Sequence, residues 1–124
     1  MRHEILTPSF ERSDDRGIFR EVLNDGSWEA LICGRMNPDA VLGNHYHKQT
    51  VIFFYIARGL ARVTTVHVET KDKDDFFLRS DQGVFLNINE SHAIRFMEES
   101  DFVMLKSLRY DPADPDTYDF HVED

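Results

Sequence analysis

The sequence predicts an all-β fold, a sandwich or barrel of short strands. Three observations predict it. Turn-forming clusters recur at short intervals, among them "SDDRG" (13–17), "NDGS" (24–27), "RSDQG" (79–83) and "MEESD" (97–101). The runs between them are rich in Val, Ile, Phe, Tyr and Thr. No window carries the period of a long amphipathic helix.

Eight strands are expected in order. "IFREVL" (18–23) follows the Asp-Arg-Gly turn, and "EALICGRM" (29–36) ends at an Asn-Pro-Asp turn. "TVIFFYIA" (50–57) is the longest apolar run and stops before Arg58-Gly59. "LARVTTVHVE" (60–69) alternates: Val63, Thr65, His67 and Glu69 face one way and Arg62, Thr64, Val66 and Val68 the other. "DFFLR" (75–79) follows the acidic loop 69–75, expected to be a solvated hairpin turn. "GVFLNI" (83–88), "HAIRF" (92–96) and "DFVMLKSL" (101–108) complete the set. In the tail, Pro112 and Pro115 break regular structure, so the end is expected to lie as an extended arm.

The 124 residues suit one domain, 1–124. With 23 acidic against 14 basic side chains and a formal charge of -9, the chain repels polyanions, which argues against nucleic acid as a partner. Converging Arg or Lys side chains can still hold one small phosphorylated ligand. The single cysteine, Cys33, is expected to be a buried small hydrophobe and fits a reducing compartment. The opening residues are too polar for a secretory leader, and the run 51–57 is too short to span a membrane. A soluble cytoplasmic protein is expected.

The chemistry concentrates in "GNHYHKQTVIFFYIARG" (43–59). On a strand, residues i and i+2 share a face, so His45 and His47 point together and Tyr46 points away. Two imidazoles on one face can grip a metal ion or flank a substrate. His92 opens a later strand, and if the chain folds back as a jelly roll it can lie beside the pair.

These residues resemble the cupin superfamily. Gly43, His45, His47 and Gly59 match its first motif, with Ile52 where that motif has Glu. Gly83 and His92 match its second, with Asn87 at the usual Pro and Phe96 at the usual Asn. "DDRGIFREVL" is similar to the D-x-R-G-x-F-x-E opening of sugar-nucleotide cupins, the dTDP-4-keto-6-deoxysugar 3,5-epimerases and 3,4-ketoisomerases. "GNHYHK" and "YDPADPDTYDF" resemble the C-terminal cupin domain of capsular-polysaccharide UDP-sugar reductases.

The resemblance implies a cupin-type double-stranded β-helix (a jelly-roll barrel). It implies a divalent metal on His45, His47 and His92, Zn²⁺ or Fe²⁺, with Ni²⁺ and Mn²⁺ as further candidates. Ile52 removes the anionic ligand, and three imidazoles bind less tightly without it. Gln49 is a turn residue or a neutral replacement ligand. In metal-free ketoisomerase relatives the HxH pair itself transfers protons. The implied activity is epimerisation or isomerisation of a keto sugar, possibly nucleotide-linked, with no membrane partner and a homodimeric assembly. Alternatives are a three-histidine iron oxygenase and a non-catalytic sugar- or metabolite-binding cupin.

The remaining candidates have two readings each. Arg35 is expected on an inward face with Leu31 and Cys33, as an anion clamp or a charge reaching out to water. Lys106 has the same ambiguity. Either cation can steady an enolate oxygen. Tyr46 or Tyr55 is the candidate acid. Arg16 and Glu21 are nucleotide contacts by resemblance, or turn and ion-pair residues. Phe53, Phe54 and Tyr55 are expected in the core, and His3, His67 and His121 in solvent.

Overall fold

The computed structural model describes residues 3–122. Among the described residues eleven strands run in chain order: β1 Phe10–Asp14, β2 Gly17–Glu21, β3 Ala30–Met36, β4 Val41–Tyr46, β5 Ile52–Arg58, β6 Leu60–His67, β7 Lys73–Arg79, β8 Gln82–Leu86, β9 Glu90–Phe96, β10 Ser100–Lys106 and β11 Tyr118–Asp119. β1 and β2 form a separate hairpin. The others form a four-stranded sheet, β3-β10-β5-β8, and a five-stranded sheet, β11-β4-β9-β6-β7. Every pairing is antiparallel. Neighbours far apart in sequence, such as β4 with β9 and β3 with β10, make the jelly roll.

Each of the eight expected runs holds a strand. β1 is hidden by its polar sequence, FERSD. β4, read as a strand from the histidine spacing, is missing from the apolar runs because Gly43 and Asn44 interrupt its pattern. The tail does more than extend: Tyr118 and Asp119 pair with Tyr46 and His45, making β11 an edge strand on β4.

The core fills the space between the sheets. Ile52, Phe54 and Ile56 of β5 pack with Ala61 and Val63 of β6, Leu78 of β7, Ile94 and Phe96 of β9 and Phe102 of β10. Alternation carries this directly, since i and i+2 share a face. On β6, Val63 and Thr65 are buried on the inner side while Arg62 pairs outward with Asp75. Truncating a fully buried Phe such as Phe54 to Ala costs about 3–5 kcal/mol.

Phe53 and Tyr55 are also buried, but on the outer face of β5. There Phe53 packs on Phe85, Trp28 stacks on Phe85, and Leu6 bridges to Gly83. Among the described residues no helix is long and apolar enough to cross a membrane.

Several surface expectations are corrected. Cys33 is exposed, because Leu31, Cys33 and Arg35 lie on the outer face of β3, not the inner one. His3 is buried rather than solvated, between Asp74 and Glu90. Asp74 is likewise buried, although the rest of its loop is open. His67 is half-buried and accepts the N–H groups of Glu69 and Thr70 at Nδ1, whereas His121 is exposed.

Candidate active site

β4 and β9 place the histidines. Their register runs Val41 to Arg95, Leu42 to Ile94 and Gly43 to Ala93, then skips Asn44 so that His45 faces His92. Strict alternation from the inward Leu42 would put His45 outside. The bulge inserts one residue and turns it in. Gly43 makes this possible: its φ is +112°, and a Cβ there would lie 2.3 Å from the His92 carbonyl oxygen. His47 follows just beyond β4, and its own carbonyl accepts the Asn89 N–H at 2.7 Å.

The three rings meet inside the barrel. Ring centroids are 5.1 Å apart for His45 and His47, 4.9 Å for His45 and His92, and 5.7 Å for His47 and His92. One nitrogen from each lies within 4.8 Å of the other two. The His47 ring also hydrogen-bonds a backbone carbonyl, that of Asp116, through Nδ1. His47 Nε2 and His92 Nδ1 are buried with no hydrogen-bond partner. Such orphans are uncommon in folded proteins.

Electrostatics keep the rings neutral. Burial is the main cause holding the His45 and His47 pKa values below 6.5, helped by the nearby Lys106 ammonium. Burial, with His45 and His47 alongside, pushes His92 down to about 3. Neutral imidazoles offer lone pairs, as required of ligands or bases.

Lys106 comes from the opposite sheet. It pairs with Ile52 across β10 and β5, and directly opposed residues share a face. Ile52 is 2% exposed within the core cluster, so the motif's carboxylate position is filled by an aliphatic side chain. Gln49 is exposed in the turn after His47.

The other candidates lie elsewhere. Arg35 is exposed, its Nε donating to Asp101 at 2.8 Å. Tyr55 is on the outer face, where its hydroxyl donates to Asp81 at 3.0 Å; burial and that carboxylate push its pKa up to about 12. Tyr46 points away from the histidines, against Tyr118 at 5.4 Å. Arg16 pairs with Asp14, and Glu21 accepts the Ser9 hydroxyl at 3.3 Å. One residue was not singled out from the sequence: Asp116, whose carbonyl accepts His47 Nδ1–H. The only signal for it was the D-P-x-x-P-D-T-Y tail.

The model of the polysaccharide biosynthesis C-terminal domain family matches residues 12–118. The chain belongs to this family. Solved structures similar to this family member include CapF of Staphylococcus aureus, a capsular polysaccharide assembling protein, at 23% identity and TM-score 0.72, covering 91% of this chain and 34% of that one. The chain thus spans about a third of CapF. The Mycobacterium tuberculosis rmlC epimerase matches at 18% identity and TM-score 0.75, over 88% of this chain and 64% of that one. ChmJ, a 3'-monoepimerase from Streptomyces bikiniensis solved with dTDP-quinovose, matches at 17% identity and TM-score 0.79, over 94% and 68%. At these identities the likeness shows fold, and the fold is the cupin-type jelly roll expected from the sequence. No curated protein sequence matches the chain.

Proposed function

We propose that this chain is an epimerase- or isomerase-type cupin that moves a proton next to the carbonyl of a nucleotide-linked keto sugar. One observation carries the reading: three neutral imidazoles converge inside the barrel, with buried nitrogens that have no partner. The membership in a polysaccharide biosynthesis family and the sugar epimerases among the similar folds support it.

His47 Nε2 is the proposed base. It takes the proton from the carbon beside the carbonyl. The C–H electron pair becomes the enolate double bond, and the carbonyl pair moves to oxygen. The Lys106 ammonium, whose charge is felt by His45 and His47, is the proposed donor to that oxygen; losing such a donor costs about 10²–10³ in rate. Reprotonation of the carbon from its opposite face by a solvent-derived proton gives the epimer, and His47 returns the proton it took to water.

The same residues fit a divalent ion, since one nitrogen from each of three neutral rings lies within 4.8 Å of the other two. His45, His47 and His92 would hold it, and when bound it supplies Lewis-acid polarisation of the carbonyl. One lone pair serves one purpose, so ligation and base catalysis exclude each other at His47.

The assembly proposed is a homodimer. Its support is the apolar outer face of the four-stranded sheet, with Leu31 69% exposed, and the hairpin beside it, with Phe19 59% exposed.

The test is deuterium from solvent washing into UDP- and dTDP-linked 4-keto-6-deoxy sugars. Incorporation next to the carbonyl is expected, and Lys106→Met slows it about 100-fold or more. No incorporation across both nucleotide series, from metal-free and metal-loaded protein alike, would overturn the reading. Metal content after tag-free purification separates base from ligand at His47.

A further inference from the structure

We infer that Asp116 is a positioning residue for the three-histidine site, setting which nitrogen of His47 carries the reactive lone pair. This rests on the reading that the three rings form the reactive centre, whether they hold a metal or move a proton.

Asp116 lies 69 positions beyond His47, in the tail that leads into β11, and meets it in two ways at once. Its peptide carbonyl contacts His47 Nδ1 at 2.5 Å. A carbonyl oxygen can only accept, so Nδ1 holds the hydrogen of the neutral ring. The lone pair is left on Nε2, the buried nitrogen without a partner. The tautomer that leaves a lone pair on Nε2, buried in the ring that neighbours His45 and His92, is therefore dictated by one backbone carbonyl.

The Asp116 side chain holds that carbonyl in place. Its Oδ1 accepts the Lys48 N–H at 2.8 Å. Its Oδ2 accepts the N–H groups of Gln49 and Thr50, each at 2.8 Å, and the Thr50 hydroxyl at 2.9 Å. Three successive N–H groups converging on one anion make a nest, a natural carboxylate site. The nest is the turn immediately after His47. The carboxylate thus ties the tail to the residues that follow the histidine, and the carbonyl of the same residue reaches back to its ring. Both bonds move together if the carboxylate lets go.

β11 guides the tail into this position. Tyr118 and Asp119 pair with Tyr46 and His45, and the Phe120 N–H donates to the Asn44 carbonyl at 3.0 Å. These contacts run along the edge of β4 and leave its inner surface to the rings. The chain after β10 therefore completes the site without entering it. Groups that orient a histidine in this way usually change metal affinity or activity by about 10–100-fold when removed.

The experiment compares the full chain with Asp116→Ala, Asp116→Asn and Thr50→Val. Histidine tautomers are read from ring ¹⁵N shifts by NMR at about pH 8, without added metal. In the wild type, His47 is expected as a single form protonated at Nδ1. In Asp116→Ala, and to a lesser degree in Asp116→Asn, it becomes a mixture. Thr50→Val, which removes one of the carboxylate's four bonds, leaves the single form intact. If Asp116→Ala does not fold, the Asn variant carries the comparison.

A chelator competition with Zn²⁺ is the second readout, with affinity expected to fall about 10–100-fold in Asp116→Ala. An unchanged His47 tautomer in the Asp116 variants would overturn the inference, whatever the activity. A wild type that binds no zinc, together with a tautomer change in the variants, leaves Asp116 as a positioning residue and removes only the metal reading.

Discussion

The peptide N–H and the ring Nδ1 of His3 meet the same oxygen, Oδ2 of Asp74, each at 2.8 Å. The other ring nitrogen contacts Glu90 Oε1 at 2.7 Å. With carboxylates at both nitrogens, the imidazolium form can donate twice. The Phe76 ring lies 5.2 Å away on the same side. This clasp fastens the N-terminal segment across β7 and β9.

Stability should therefore depend on pH through His3. Burial lowers its pKa, but hydrogen bonds to Glu90 and Asp74 outweigh that and raise it above 6.5. A raised folded value gives stability that is complete below the unfolded value and lost as pH climbs through the folded one. Asp74 runs the other way: its folded value lies below 3.8, so its contribution is lost on acidification. Between those limits both are present. His3→Asn should cost about 1–3 kcal/mol at pH 5.5 and clearly less at pH 8.5, by urea denaturation. Equal costs at the two pH values would remove the clasp.

Gly43 carries a second prediction. Gly43→Ala forces a side chain into φ +112° and against the His92 carbonyl. The backbone strain alone costs about 1–3 kcal/mol, and the overlap adds to it. Because the bulge aims His45 inward, the variant should also lose its His45–His92 contact, visible as changed ring shifts for both. A variant within about 0.5 kcal/mol of wild type, with both rings unmoved, would show that the bulge does not need glycine.

The site was more legible in the sequence than its surroundings. The resemblance to the cupin motifs implied that His45, His47 and His92 meet, and motif distances survive any detail of the turns. The inward direction of His45 depends on a bulge, and strict alternation of β4 would have reversed it. Arg35 shows the opposite failure. Its apolar neighbours Leu31 and Cys33 looked like a core face, yet that face is exposed on the single chain. A run that is apolar on both sides cannot say which side is the core. Asp116 and His3 act through partners more than sixty positions away, and no local pattern marks such pairs.

Exposed apolar side chains also predict association. Phe19 on the hairpin is 59% exposed, and Leu31 on the sheet 69%. Large apolar side chains left open in this way are the support for an interface there. Sedimentation equilibrium should find a dimer. Leu31→Asp combined with Phe19→Ser should yield a folded monomer, since neither side chain belongs to the barrel core. A wild type that stays monomeric at about 100 μM would exclude a specific dimer of ordinary strength.

Ile52 poses the last question about the site. It sits inside the core, directly across from Lys106, at the position where the cupin motif has its carboxylate. Ile52→Glu places a buried charge there. Without metal this should destabilise the fold by roughly 3 kcal/mol, with Lys106 offsetting part of the cost. With Zn²⁺ the added carboxylate can complete a four-ligand set with His45, His47 and His92. Binding to the folded state alone then raises its stability by mass action. The zinc-induced rise in Tm should therefore be larger in Ile52→Glu than in the wild type. An equal or smaller rise would mean that position 52 does not face the histidine cluster, and that the aliphatic residue there has no bearing on how the three rings hold an ion.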